Sequence, residues 1–181
     1  MESSQEQIKA ALATVPEGCR HWFAIGAAAR LVQRVGSSAD PAVTRTLSAA
    51  LTALTAWPEA ETSELQARLA ECEELEQDED AHDYDSDPLL DNAVAATCYA
   101  IEAAMGDAEA PVWAAIQAYE AVDYLAHTEL AADFNDAEQM ARVASHPVVL
   151  AEKKAQHDDL DFLAQHQEAA RIAVRVRRYL V

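Results

Sequence analysis

Apolar residues recur at intervals of three and four along nearly the whole chain, and this spacing predicts one helix after another. The first helix opens at Ser3 or Ser4, since Ser3–Glu6 and Ser4–Gln7 both have capping-box spacing. Its stripe is Ile8, Ala11, Leu12 and Val15, and Pro16 interrupts it. A second helix follows from about Glu17, with Trp22, Ile25, Ala29 and Val32 on one face and Gly36 placed as its C-cap glycine. Asp40-Pro41 starts a third, with Asp as N-cap and Pro at the first helical position. Its stripe is Val43, Leu47, Leu51, Leu54 and Trp57. Pro58 is placed to open a fourth, facing inward through Leu65, Leu69, Cys72 and Leu75.

The middle of the chain follows the same rules. Residues 73–87 hold nine acids in fifteen positions, and from about Asp80 this run predicts an exposed loop, because like charges repel and Asp is a poor helix former. Asp87-Pro88 repeats the Asp-Pro start, and the helix it opens carries Leu90, Val94, Thr97, Ile101 and Met105 inward before Gly106. A sixth helix runs from Asp107 to about Phe134, its stripe drawn through Val112, Ile116, Tyr119, Val122, Ala126 and Leu130. Residues 135–144 read as a short helix or linker, and His146-Pro147 opens a last helix running to about Tyr179. No alternating run rich in Val, Ile and Thr calls for a strand. The expectation is all-α: a compact bundle of about seven helices in a single domain over residues 1–181, with an acidic loop at about 78–87 between its halves.

Composition fits a folded chain, for 51% of residues are hydrophobic and much of that share is alanine. Residues 1–20 lack the apolar stretch of a signal peptide, and no segment approaches a membrane span. Cys19, Cys72 and Cys98 are isolated in sequence and odd in number, so free buried thiols in a cytoplasmic protein are expected.

Charge changes the picture more. The net charge is −19, and residues 69–141 contain 20 Asp and Glu and no Lys or Arg. The rest of the chain nets +1. Such a field repels nucleic acid and anionic membrane and attracts basic partners.

Candidate chemistry is sparse. Asp83-Tyr84-Asp85-Ser86-Asp87 starts like a calcium loop, but Pro88 stands where the EF-hand needs Gly and Val94 where it needs a bidentate Glu. Asp123 and His127 lie four apart on one helix face, with Asp123 expected near the middle of the apolar stripe. The pair reads either as an acid–base couple or as a structural hydrogen bond. His157 and Asp161 could chelate a metal only with ligands from another helix, since His166 lies about 180° from His157 around their own. Arg171, Arg175, Arg177 and Arg178 suit the negative end of a helix dipole or could pair with the acidic window. Nucleotide-binding and hydrolase motifs are absent.

Three stretches together resemble a known family. They are Cys19-Arg20-His21-Trp22-Phe23-Ala24 followed by Ala29-Arg30-Leu31; Asp78-Glu79-Asp80 followed by Asp87-Pro88 and Asp91-Asn92-Ala93; and His146-Pro147-Val148-Val149 leading to Gln156-His157-Asp158-Asp159-Leu160. Their order and spacing over residues 17–166 are similar to the YjaG-like bacterial proteins, domain of unknown function 416. The chain departs from them in its alanine content and its arginine-rich end. The resemblance implies a compact all-helical fold and no established activity, so no catalytic residue is carried over.

The functional expectation is a non-enzymatic acidic interaction protein that docks a basic partner protein, in its sharp form an immunity or inhibitor protein against a basic toxin. The candidate partner-binding residues are Asp80, Asp83, Asp85, Asp87, Glu120, Asp123 and His127. The alternative is a small-molecule-binding or enzymatic bundle using the Asp123–His127 pair. No catalytic residue, metal site or cofactor is assigned, and the oligomeric state stays open.

Overall fold

The computed structural model describes residues 4–36, 40–56, 61–75, 87–133 and 135–179. Among the described residues there are nine α-helices and no strand: α1 (Ser4–Leu12), α2 (Arg20–Val35), α3 (Pro41–Thr55), α4 (Thr62–Glu73), α5 (Pro88–Met105), α6 (Ala110–Leu130), α7 (Ala137–Ala144), α8 (Pro147–Gln165) and α9 (Ala169–Arg177). A 3₁₀ turn at Glu17–Cys19 leads into α2. The all-α class holds, but the count rises from about seven to nine for two local reasons. Asp136 caps α7 by accepting hydrogen bonds from the backbone N–H of Glu138 (2.9 Å) and Gln139 (3.2 Å). The expected last helix breaks at His166, whose backbone is extended. The His166 ring stacks on Phe162 at 4.2 Å, and its Nδ1 donates to the Phe162 carbonyl, competing for the acceptor that a continuing helix would use.

Cap chemistry places several of the boundaries. The Asp40 side chain accepts from Ala42 N–H at 2.7 Å, and Asp87 Oδ1 accepts from Leu89 and Leu90 N–H at 3.1 and 3.4 Å. Gly106 ends α5 in the left-handed conformation. The sixth helix is shorter than expected at both ends. Asp107 Oδ1 accepts from Glu109 and Ala110 N–H just before it starts, and Ala131, at φ 46°, ends it. Trp57 and Pro58 lie outside the described residues.

The core centres on α2, which packs extensively against both α5 and α6, while those two pack on each other. Twelve consecutive residues, His21 to Val32, are buried. A single apolar face had been expected on this helix. Its alanines and Gly26 let neighbours close in on every side, so α2 is surrounded by α3, α5, α6, α8 and α9. Phe23, Ile25 and Leu31 are fully buried there, each worth roughly 1.5–3 kcal/mol of apolar transfer. A smaller cluster of Val122, Ala126, Val143 and Val149 joins α6, α7 and α8. Among the described residues, no helix is long and apolar enough to cross a membrane.

Candidate functional site

Of the candidate partner-binding residues, Asp80, Asp83 and Asp85 lie outside the described residues, and so does most of the calcium-like loop. Asp87 is exposed and serves as the α5 cap. The other three sit on α6. Glu120 is exposed, Asp123 is partly exposed and His127 is buried. Asp123 does not occupy the middle of the buried face, as the stripe had suggested. Ala114, Ala115, Ala118 and Ala121 are also buried, and they swing the centre of that face away from Asp123 and leave it at the edge.

His127 Nδ1 lies 3.2 Å from Asp123 Oδ2 and donates to the Asp123 backbone carbonyl at 2.9 Å. Its Nε2 faces Met140 Sδ on α7 at 3.2 Å. Both ring nitrogens therefore point at protein atoms, and the ring fixes α6 to α7. Tyr119 donates to the other Asp123 oxygen at 3.4 Å. A buried ring engaged on both sides is poorly placed to exchange a proton with an external substrate.

The outward face of α6 has a different character. At 100° per residue, Trp113, Gln117, Glu120 and Tyr124 fall within about 60° of one another around the helix. Trp113 and Tyr124 are 38% and 43% exposed, among the few large apolar side chains left open to solvent. They stand about 16 Å apart along the axis. Tyr99 of α5 stacks beside Trp113 at 6.4 Å between ring centroids. Glu120 lies between the two exposed aromatics, and partial burial together with the Asp123 charge pushes its carboxyl above the ordinary range. Neither α5 nor α6 contains a Lys or Arg. Two flanking acids are already matched, Glu109 with Lys9 (2.7 Å) and Glu129 with His146 (3.2 Å).

A second assembly of charges lies inside the protein. Arg30, in the centre of α2, is 7% exposed. Its Nη2 donates to Glu152 Oε1 at 2.8 Å, its Nε is shared between both Glu152 oxygens, and its Nη1 donates to Asp159 Oδ2. Gln156 Nε2 bridges Glu152 Oε1 (3.2 Å) and the Ala115 carbonyl of α6 (3.0 Å). Arg175 Nε donates to Asp159 Oδ1 at 2.8 Å, and the Tyr179 hydroxyl donates to the same oxygen at 3.4 Å. The Arg30 guanidinium also lies over the Tyr179 ring, 5.2 Å from its centroid. Burial alone would lower the Arg30 pKa, but Glu152, and then Asp159, hold it above the ordinary value. Two cations face two carboxylates, so the cluster is neutral and hydrogen-bonded throughout. It ties α2, α6, α8 and α9 together, with Arg30, Glu152 and Asp159 buried. Gly26 makes room for it, since a Cβ there would stand 3.2 Å from Asp159 Oδ2.

Sequence reasoning missed this cluster, although one signal was available. A single arginine within a run of small and apolar residues, as in residues 21–32, requires a buried partner. Arg175 belongs in sequence to the arginine-rich end, yet in the fold it turns to Asp159. His157 and Asp161 do approach each other, at 3.4 Å, but both are largely exposed, and His166 is turned to Phe162. Among the described residues, no group of three or more His, Cys, Asp or Glu is gathered to hold a metal ion.

Together these features define an all-helical protein built around a central buried helix that carries an internal charge cluster. A solved structure of similar fold is that of a DUF416 family protein from Shewanella baltica OS155. The two agree at a TM-score of 0.71 with 19% sequence identity, over 99% of this chain and 94% of that one. It is a member of the family whose sequence pattern this chain resembles, and at that identity the likeness is one of fold. No family model matches the chain, and no curated protein does.

Proposed function

We propose that this chain is a non-enzymatic interaction protein whose α6 face docks a basic partner protein. The observation that carries the reading is the line Trp113–Glu120–Tyr124, with Asp123 at its border, on a helix without Lys or Arg. Exposed aromatics supply the apolar anchors typical of interface hot spots. The acids add orientation and a faster encounter with a cationic surface. Glu120 and Asp123 also repel each other, and an incoming Arg or Lys relieves that repulsion. In its finer form the role is that of an immunity or inhibitor protein neutralising a basic toxin in the bacterial cytoplasm. The Asp123–His127 contact favours the enzymatic alternative, but the engagement of both ring nitrogens speaks against it.

The test compares the wild type with Trp113→Ser/Glu120→Lys/Tyr124→Ser as baits in lysate of the source cells. The expected result is a partner of high pI held by the wild type at about 50 mM salt, released by about 0.5 M salt and not held by the variant. Identical recovery on both baits, or binding indifferent to salt, would sink the proposal. Circular dichroism of the variant confirms that it is folded.

A further inference from the structure

Two arginines of this chain show how its folded surface holds a guanidinium. On α8, Asp159 and Phe162 share a face, and Arg175 meets both. Its Nε donates to Asp159 Oδ1 at 2.8 Å, and its Cζ lies 4.7 Å from the centroid of the Phe162 ring. Arg30 likewise donates to Asp159 while lying over the Tyr179 ring, 5.2 Å from its centroid. A planar cation can rest its face on an aromatic ring while its in-plane N–H groups reach a carboxylate. Lysine behaves differently here. Lys153 lies over the Tyr119 ring at 5.2 Å, and the Asp123 carboxylate bonded to that tyrosine is paired with His127 instead. A compact ammonium placed over a ring has no rigid fork with which to reach the neighbouring acid.

A further acid–aromatic pair stands on the outward face of α6. Glu120 and Tyr124 are one turn apart, about 40° around the helix and about 6 Å along it. Both are exposed. Among the described residues, no Lys or Arg pairs with Glu120 or lies over the Tyr124 ring. Asp123 is already engaged by His127 (3.2 Å) and Tyr119 (3.4 Å), so Glu120 is the carboxylate left to accept from an incoming cation. We propose that Glu120 and Tyr124 form an arginine-side-chain site, in which a guanidinium of the basic partner lies on the Tyr124 ring and donates to the Glu120 carboxylate. Such a site rests on the docking role of α6 and adds the residue type the partner must present.

The probes are tri-arginine and tri-lysine peptides of equal charge, titrated into the isotope-labelled full chain at about 20 mM salt, where exposed charges are little screened. Affinity is read from the backbone amide NMR signals of Glu120 and Tyr124, in the wild type, Tyr124→Leu and Glu120→Gln. In the wild type, tri-arginine should bind about three- to fivefold more tightly than tri-lysine, the range of an exposed cation–π contact. Tyr124→Leu keeps an apolar side chain without the ring face and should bring the two peptides to equal affinity. Glu120→Gln should weaken both. Equal affinities in the wild type, a preference untouched by Tyr124→Leu, or signal shifts confined to residues away from α6 would overturn the proposal. Both substituted side chains are exposed, and circular dichroism of each variant checks its fold. The lysate comparison decides docking separately. A high-pI partner captured through α6, together with equal peptide affinities, removes the arginine preference and leaves docking standing. Arginine preference at Tyr124 with no captured partner upholds the guanidinium site and removes its docking role.

Discussion

Replacing Arg30 with methionine keeps most of the side-chain length and removes the cation at the centre of the buried cluster. Glu152, 1% exposed, would keep only its bond from Gln156. Asp159 would keep Arg175 and Tyr179. Breaking a buried ion pair by removing one partner costs about 3–5 kcal/mol, because the other charge stays buried without compensation. For a domain of this size that is a fall of roughly 6–20 °C in Tm. The unpaired Glu152 carboxyl would have a folded-state pKa above its unfolded value. The folded state then binds more protons than the unfolded state, so stability falls as pH rises through that window and recovers as pH is lowered. Arg30→Met should therefore lose less stability at pH 5 than at pH 8, and Glu152→Gln added to it should restore a large part of the loss. The assay is urea unfolding of the wild type, both single variants and the double variant at the two pH values. A single variant within about 1 kcal/mol of wild type, or a double variant no better than Arg30→Met, would refute the reasoning.

Two further predictions follow from single positions. Burial lowers His21 to about 4, so the folded state binds fewer protons than the unfolded state below neutral pH. Its contribution is present above the ordinary histidine pKa and is lost as pH falls toward 4; at pH 5 the loss is about 2 kcal/mol, which should be missing from the acid-unfolding profile of His21→Gln. Ala131 holds a left-handed conformation at the end of α6, and Ala131→Gly should stabilise the protein by roughly 1 kcal/mol in thermal or urea unfolding, an unchanged midpoint counting against the strain.

Helix starts were the most legible part of the fold, because an Asp-Pro pair decides its own backbone within a few residues. Asp40 and Asp87 cap α3 and α5 as their spacing implied. The break at His166 was less legible. It arises from a ring that stacks on Phe162 and takes its carbonyl, and apolar periodicity carries no trace of that contact. Alanine caused the remaining errors. It reads as weakly apolar in a stripe, yet on α2 and α6 it decides which faces neighbours can approach, and so decided that α2 is buried all around and that Asp123 lies at an edge.

The sequence by itself determined the all-helical class, the caps and the position of the negative charge, since each depends on residues a few places apart or on counting. Only the tertiary structure decided what the charges do. Arg30 meets partners 122 and 129 residues away, and Arg175 reaches Asp159 only because the helix breaks between them. In an unbroken helix those two residues would stand about 24 Å apart. The same holds for the exposed line of Trp113, Glu120 and Tyr124. Local pattern sets which way a side chain faces along its own helix, and packing of the other helices sets what it meets there.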